Sequence, residues 1–284
     1  MEVIQRSKSY LEQKGVESAR LQVELLLSHT LKMPRLQLYL NFDRVLTPEE
    51  TAQARHFVQC RGQHIPLQQI LGSTSFCGLE LVVTGDVLCP RPETEVLAER
   101  AWQWLNQCSW SDATRPQVLD FGTGSGCLAI AVAVKCPRAR ITALEISPAA
   151  LAIARANAAQ HQVTDRLEFI LGHRLSAVAP GTLFDLIISN PPYIPSAVIP
   201  TLALEVRDHE PRIALDGGPD GLDFYRRLAA DAPAWLQPGG RMMLEFGDGQ
   251  EDALDVLFGR PLWQVLSIEN DNNGRPRVLT VVRA

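Results

Sequence analysis

At 284 residues the chain is long enough for two domains of roughly 100–200 residues each, which excludes a miniprotein held together by metal or disulfides. Hydrophobic residues make up 46% and charged residues 21%, the make-up of a folding globular chain and not of a disordered or fibrous one. Lys and Arg number 27 against 32 Asp and Glu, a formal charge of -5, so a polyanion is a poor match and nucleic acid starts as a disfavoured partner.

The start, Met1-Glu2-Val3-Ile4-Gln5-Arg6, carries an early acid with no apolar stretch behind it, unlike a secretory or transit leader, and a cytoplasmic protein is expected. The first 80 or so residues read as helical. Ser18 precedes an apolar pattern of Leu21, Leu25, Leu26 and Leu27, and Thr47-Pro48-Glu49-Glu50 supplies a complete capping box with a first-turn proline. From Gly72 to Pro92 the texture shifts to Gly, Ser, Thr and β-branched residues, with Leu79 to Val83 as a short strand. The expected division is a helical bundle over residues 1–72, a β-hairpin linker over 73–92 and a larger domain over 93–284.

Beyond Arg115 the pattern becomes strand, turn, helix, repeated. Strands are predicted at Gln117–Phe121, Ile141–Glu145, Leu167–Leu171, Phe184–Ser189 and Gly240–Phe246, with two more at Leu262–Ile268 and Arg277–Val282. A helix begins at Cys127, and Ser147-Pro148 caps another that carries Leu151, Ala154 and Ala158 on one face. Alternating strands and helices imply an α/β fold, a mostly parallel doubly wound sheet covered on both faces. The longest strictly apolar run, Cys127–Val134, is far short of the roughly 20 residues of a membrane helix, so no membrane span is expected. The six cysteines, at 60, 77, 89, 108, 127 and 136, form no C-x-x-C pair and read as reduced thiols, mostly core filler. The six histidines lack ligand spacing, and no metal is expected.

Chemistry concentrates at three places. Asp120-Phe121-Gly122-Thr123-Gly124-Ser125-Gly126 lies between a predicted strand and helix, where glycines admit close approach of a ligand and the helix start offers unpaired N–H groups. Cys127 stands where the dinucleotide fingerprint needs a glycine; the spacing instead resembles the first motif of class I methyltransferases that bind S-adenosylmethionine, a ligand-free glycine turn being the alternative. Glu145 follows at the end of the next strand, placed to accept ribose hydroxyls on its two oxygens; Ile146 beside it reads either as an adenine neighbour or as core. Asn190-Pro191-Pro192-Tyr193 leaves the strand at Phe184–Ser189. Its prolines supply no N–H, so a planar NH2 fits, held by the Asn190 side-chain oxygen and the Pro191 carbonyl with Tyr193 against its flat face. That ligand is an amide or an aromatic amine. In a doubly wound sheet the two loops would flank the point of strand reversal and face one cleft.

Asn-Pro-Pro-Tyr after this glycine motif resembles amino methyltransferases acting on planar nitrogens. Pro90-Arg91-Pro92-Glu93-Thr94-Glu95, Glu205-Val206 with Glu210-Pro211, Gly217-Gly218-Pro219-Asp220-Gly221-Leu222 and Glu245-Phe246-Gly247 with Gln250 narrow the resemblance to the HemK/PrmC family of peptide chain release factor glutamine N5-methyltransferases. Ser18-Ala19-Arg20-Leu21 and Glu24-Leu25-Leu26-Leu27 are similar to that family's helical substrate-binding domain. The resemblance implies a class I S-adenosylmethionine-dependent methyltransferase with a Rossmann-like doubly wound sheet and a small N-terminal helical bundle domain. It also implies methylation of the glutamine amide in the Gly-Gly-Gln motif of class I release factors, with S-adenosylhomocysteine as product. Carried onto this chain, Gly122, Thr123, Gly124, Ser125 and Gly126 cradle the cofactor, Glu145 binds its ribose, and Asn190, Pro191, Pro192 and Tyr193 clamp the target amide, Asn190 also touching the cofactor.

Two departures stand out: Glu145 replaces the family's usual Asp, and Gly172-His173-Arg174 occupies the adenine-contacting position where Asp-Trp is common, leaving Arg174 to stack on adenine. Arg91, Thr94 and Glu95 match a segment near the family's active-site entrance, or form a structural elbow. The other readings weighed are methylation of a ribosomal-protein glutamine, adenine N6 methylation of nucleic acid, and a non-catalytic binding module. Catalysis is expected from positioning and electrostatics by Asn190, Pro191 and Tyr193, in a monomer that contacts neither nucleic acid nor membrane.

Overall fold

The computed structural model describes residues 2–41, 43–110, 115–259 and 261–284, and packing divides the chain into two units. The first runs to Ser73 and takes in the later segment Ala203–His209; the second holds Thr74–Leu202 and Glu210–Ala284.

The first unit contains α1 (Glu2–Gln13), α2 (Ala19–Leu31), α3 (Arg35–Leu40), α4 (Pro48–Gly62) and α5 (Leu67–Leu71). The capping box forms: Thr47 Oγ1 accepts from Glu50 N at 3.2 Å and Glu50 Oε2 from Thr47 N at 3.0 Å. The start of α2 differs from expectation. Ser18 is left-handed and its side chain caps nothing, and Leu21 is exposed. Val23, Leu26 and Leu27 face the core instead, joined by Ile4, Leu11 and Val58. Glu24 lies on the same buried face, its carboxylate held by Arg20 at 3.0 Å and Arg35 at 2.8 Å. Arg61, also buried, reaches the returning segment through Glu205 at 2.5 Å, and Gln69 donates to the His209 carbonyl at 3.1 Å.

The second unit begins with the hairpin of β1 (Ser73–Phe76) and β2 (Leu79–Val82). Cys77 and Gly78 between them both have positive φ, as a two-residue hairpin turn requires, and Glu95 Oε1 accepts from the Cys77 amide at 2.6 Å. There follow α6 (Thr94–Gln107), β3 (Gln117–Phe121), α7 (Cys127–Lys135), β4 (Arg140–Glu145), α8 (Pro148–Gln160), β5 (Leu167–Leu171) and β6 (Phe184–Ser189). In the returning segment lies α9 (Leu204–Arg207), and the chain closes with α10 (Asp223–Asp231), β7 (Leu236–Glu245), α11 (Glu251–Leu257), β8 (Trp263–Asn270) and β9 (Pro276–Arg283).

The sheet has seven strands in the order β5-β4-β3-β6-β7-β9-β8. The first four pairings are parallel and the last two antiparallel, so the expected doubly wound α/β fold is the one observed. Strand β7 starts at Leu236, earlier than predicted, because Leu236 pairs with Phe184 and residues 237–240 then bulge opposite Asp185 before pairing resumes between Leu186 and Arg241. Alternate residues feed two cores. Val118, Leu186 and Ile188 pack with α6 and α7 on one face, and Leu119, Ile187 and Leu244 with α10 and α11 on the other. Of the six free cysteines Cys89 and Cys136 are buried and Cys77 and Cys127 pack half-buried against the core, while Cys60 and Cys108 are half-buried elsewhere. Among the described residues no helix is long and apolar enough to cross a membrane.

Strand order reverses between β3 and β6, which puts the loops after both at one crevice beyond the carboxyl ends of the strands. Asn157 of α8 braces this region. Fully buried, it bonds both the N–H and the carbonyl of Val82 at 2.7 and 3.0 Å and the Ser125 carbonyl at 2.9 Å. Asn157→Ala strands these backbone groups, and urea unfolding is expected to show a loss of about 3 kcal/mol.

Candidate active site

The glycine loop is shaped by a carboxylate that never reaches solvent. Asp120, at 0% exposure, accepts from Thr123 Oγ1 at 2.6 Å and from Ala129 N at 3.1 Å through one oxygen, folding the loop onto the start of α7; its other oxygen is buried without a partner. Burial pushes this carboxyl from 3.8 up to about 7, against the pull of Thr123 and Ala129. The Gly122 and Thr123 amides donate to the Leu144 carbonyl at 2.8 and 3.1 Å, stitching the loop to β4. Gly122 and Gly124 have positive φ and open space where a Cβ would stand, so the loop presents bare backbone. Gly126 differs from expectation. A Cβ there would stand 3.0 Å from Ile130 and 3.2 Å from Ala154, and the residue does not border the cavity described below, so it serves close packing at the helix start.

Glu145 is likewise committed to the backbone. Its Oε1 accepts from Ile146 N at 2.8 Å and Ser147 N at 2.9 Å, and its Oε2 from Gly124 N at 2.9 Å. Of about four acceptor positions on a carboxylate, Oε2 alone retains one. The expectation that both oxygens are open to ribose hydroxyls does not fit this geometry, because Oε1 is filled by two backbone amides.

At the exit of β6, Ser189 Oγ donates to the Phe121 carbonyl at 2.6 Å and ties the second loop to the first. Asn190 Nδ2 donates to Thr94 Oγ1 at 3.0 Å, while among the described residues nothing donates to Asn190 Oδ1. Gly217 packs on this loop, a Cβ there standing 2.8 Å from the Pro192 carbonyl and from Tyr193 Cα. Gln250 braces it from the other side, donating to the Tyr193 carbonyl at 3.1 Å and accepting from Gly247 N at 2.9 Å. The GGPDGL and EFG-Q segments are thus the scaffold of the Asn-Pro-Pro-Tyr loop.

One cavity of about 420 Å³ takes in both loops, within the range of about 300–1,000 Å³ usual for small-ligand sites. Gly122 to Ser125, Glu145 and Ile146 border it together with Asn190, Pro191 and Pro192, and so do Arg91 and Thr94. Arg91 is paired at 2.6 Å with Glu210, a buried acid.

Two further expected contacts are absent from the cavity wall. Tyr193 does not border it: its ring packs where a Cβ on Gly247 would meet it at 2.9 Å, and its hydroxyl lies 3.5 Å from Glu245 Oε1. Burial and the adjacent Glu245 push this phenol's ionisation up. Arg174 is exposed and borders a neighbouring recess with Phe224 and Asp231, because Gly172 sits tight against Ala177 and the chain turns away; His173 borders the cavity in its place. Sequence reasoning assigned no role to Thr94 and Glu245, which meet Asn190 and Tyr193 here, nor to the carboxylate of Asp120, whose signal was its place in the glycine motif. Among the described residues no group of three or more His, Cys, Asp and Glu gathers as for a metal.

Residues 2–72 match the family described as PrmC N-terminal domain, and residues 104–204 the one described as Methyltransferase small domain. The chain is 46% identical over 277 residues to a release factor glutamine methyltransferase of Geobacter sulfurreducens, covering 98% of this chain and 94% of that protein. It is 42% identical over 261 residues to the one of Chlorobaculum tepidum, covering 90% and 88%. Among solved structures it resembles a methyltransferase from Pyrococcus furiosus, with a TM-score of 0.52 and 20% identity over 81% of this chain and 97% of that one, a likeness of fold.

Because Asp120 titrates in the folded protein near 7 and not at its ordinary 3.8, its stabilising contribution is full at acid pH and is lost as pH rises toward 7. Asp120→Asn lacks that loss. Urea unfolding at about pH 5 and about pH 8 is expected to show a smaller decline for the variant, the remainder coming from Glu245, which burial raises in the same direction.

Proposed function

The chain belongs to the release factor glutamine methyltransferase family, and on that footing we propose that Asn190 and Pro191 hold the side-chain amide of the Gly-Gly-Gln glutamine of class I release factors. The loop Gly122–Ser125 and Glu145 hold the methyl donor in this reading. The enzyme is a methyltransferase dependent on S-adenosylmethionine, and its relatives do not favour the ribosomal-protein, adenine or non-catalytic readings.

The single observation that carries the assignment is the state of Asn190, a residue that borders the same cavity as the glycine loop: its NH2 end is occupied by Thr94, and no described residue donates to its oxygen. A free acceptor beside two prolines selects a donor, and a primary carboxamide has one to give. The residues fit the donor molecule as well. Bare backbone at Gly122 and Gly124, one spare acceptor on Glu145 and the apolar side chain of Ile146 offer polar contact along one wall and a flat surface beside it. His173, and not Arg174, is the side chain we assign to the purine side.

S-adenosylmethionine, when bound, supplies a methyl group already activated by its sulfonium. The protein's task is to orient a weak nucleophile, since an amide nitrogen shares its lone pair with the carbonyl. Acceptors at Asn190 Oδ1 and the Pro191 carbonyl, which accepts from no described residue, align the amide hydrogens and favour positive charge building on that nitrogen. The proton can leave after transfer, so no general base is required. Tyr193 contributes from beneath the loop through its packing on Gly247. We place this activity in the cytoplasm, with the protein as a monomer; the six free cysteines support a reducing compartment.

Purified protein incubated with methyl-labelled donor is expected to label a release factor with the Gly-Gly-Gln glutamine intact and not one in which it is replaced. Asn190→Ala is expected to lower kcat/KM about 100-fold or more, with donor binding by calorimetry retained. Equal labelling of the replaced substrate would overturn the target.

A further inference from the structure

We infer that Gln250 is a positioning residue for methyl transfer: its one amide clamps the far end of the Asn-Pro-Pro-Tyr loop to two other segments and so fixes the direction in which Asn190 and Pro191 present their oxygens. The inference rests on the amide-holding role of Asn190 and Pro191 proposed above.

The loop has little of its own to hold it. It begins where β6 ends, at Ser189, and its two prolines supply no N–H to bond elsewhere. Their φ angles are locked, so few torsions stay free once both ends are pinned. The near end is pinned by Ser189, whose Oγ donates to the Phe121 carbonyl at 2.6 Å. At the far end Gln250 Nε2 donates to the Tyr193 carbonyl at 3.1 Å, and among the described residues no other group does so. The same nitrogen donates to the Gly221 carbonyl at 3.3 Å, and Oε1 accepts from Gly247 N at 2.9 Å. A primary amide has two hydrogens, and the carbonyls of Tyr193 and Gly221 take both. Its polarity is thereby fixed.

The surroundings are shaped to admit this side chain. A Cβ on Gly221 would stand 2.2 Å from the Tyr193 carbonyl oxygen and 2.7 Å from Gln250 Nε2, and one on Gly247 would stand 2.9 Å from the Tyr193 ring and 3.3 Å from Gln250 Oε1. The helix that Gln250 opens gains nothing from it. Gln250 is the N-cap of α11, a place where Ser, Thr, Asp or Asn would bond the first turn, and its side chain makes no capping bond. The amide serves the loop and not its own helix. Slack at Tyr193 would let the Pro191 carbonyl and Asn190 swing away from the line of transfer, and a misplacement of about 1 Å is enough to cost on the order of 100-fold in rate.

The test uses the full chain, labelled donor and a release factor with its Gly-Gly-Gln glutamine intact. Gln250→Met keeps the length and loses the bonds to Tyr193, Gly221 and Gly247; kcat is expected to fall about 10-fold. Gln250→Glu keeps the shape but turns a group without hydrogens toward two carbonyl oxygens, and is expected to fall about 50-fold, an order of severity that lost packing alone would not produce. In both variants donor affinity by calorimetry, which also reports folding, and KM for the release factor are expected to stay within about 3-fold. Gly247→Ala crowds the Tyr193 ring and Gln250 while leaving every bonding group in place, and is expected to slow kcat about 5-fold by a separate route. Wild-type kcat in Gln250→Glu, a Met variant slower than the Glu variant, or a loss of kcat that only follows a loss of donor affinity would each overturn the clamp. Failure of the wild-type protein to label the intact release factor would instead overturn the parent reading, and the clamp with it.

Discussion

In the role proposed for Asn190 a carboxamide holds a carboxamide, which is a problem of polarity before it is one of fit. Each partner carries a donor end and an acceptor end of almost equal size, and the cleft works only if the protein's own group cannot turn over. In the folded chain the NH2 end of Asn190 is engaged by Thr94 Oγ1 at 3.0 Å, which leaves its oxygen for another partner. The twin prolines remove competing N–H donors from the same stretch of backbone. Orientation is therefore built into the folded chain before any ligand arrives, which is the preorganisation that electrostatic catalysis needs.

Three acids near the carboxyl ends of β3, β4 and β7 surround the two loops, and each faces the protein and not the solvent. Asp120 folds the glycine loop onto α7, Glu145 ties that loop to the turn before α8, and Glu245 stands behind the Asn-Pro-Pro-Tyr loop. The two least exposed, Asp120 and Glu245, both rise to about 7 because burial disfavours their charged forms more than their partners restore them. Raised acids beside a cleft often signal proton chemistry. Here they answer to a different need, since loops that approach a ligand closely lack ladder bonds and take their rigidity from side chains instead.

The sheet and its order of strands were legible because buried parallel strands leave continuous apolar runs and the turns after them carry glycine and proline. The glycine loop and Asn190 were legible for a related reason: their backbone demands leave few residue types to choose from. What stayed hidden was long-range pairing. Thr94 reads as an ordinary first-turn residue of α6, and its partner Asn190 lies far along the chain; only the fold brings them together. Arg174 and Tyr193 failed as cavity contacts for a local reason. Residue type says what a side chain is able to touch, but the tight packing of Gly172 on Ala177 and of Gly247 on Tyr193 decides where the chain turns and where the ring goes.

The segment Ala203–His209 gives the helical unit an unusual ancestry problem. Arg61 finds its acid and Gln69 its carbonyl on residues encoded far downstream, inside the stretch that otherwise builds the sheet unit. A crossover between the two stretches that brings in a parent without an acid at position 205 leaves the buried Arg61 guanidinium without its carboxylate. Exchange of the helical unit as a single contiguous cassette is therefore penalised, and the two stretches are bound to be inherited together.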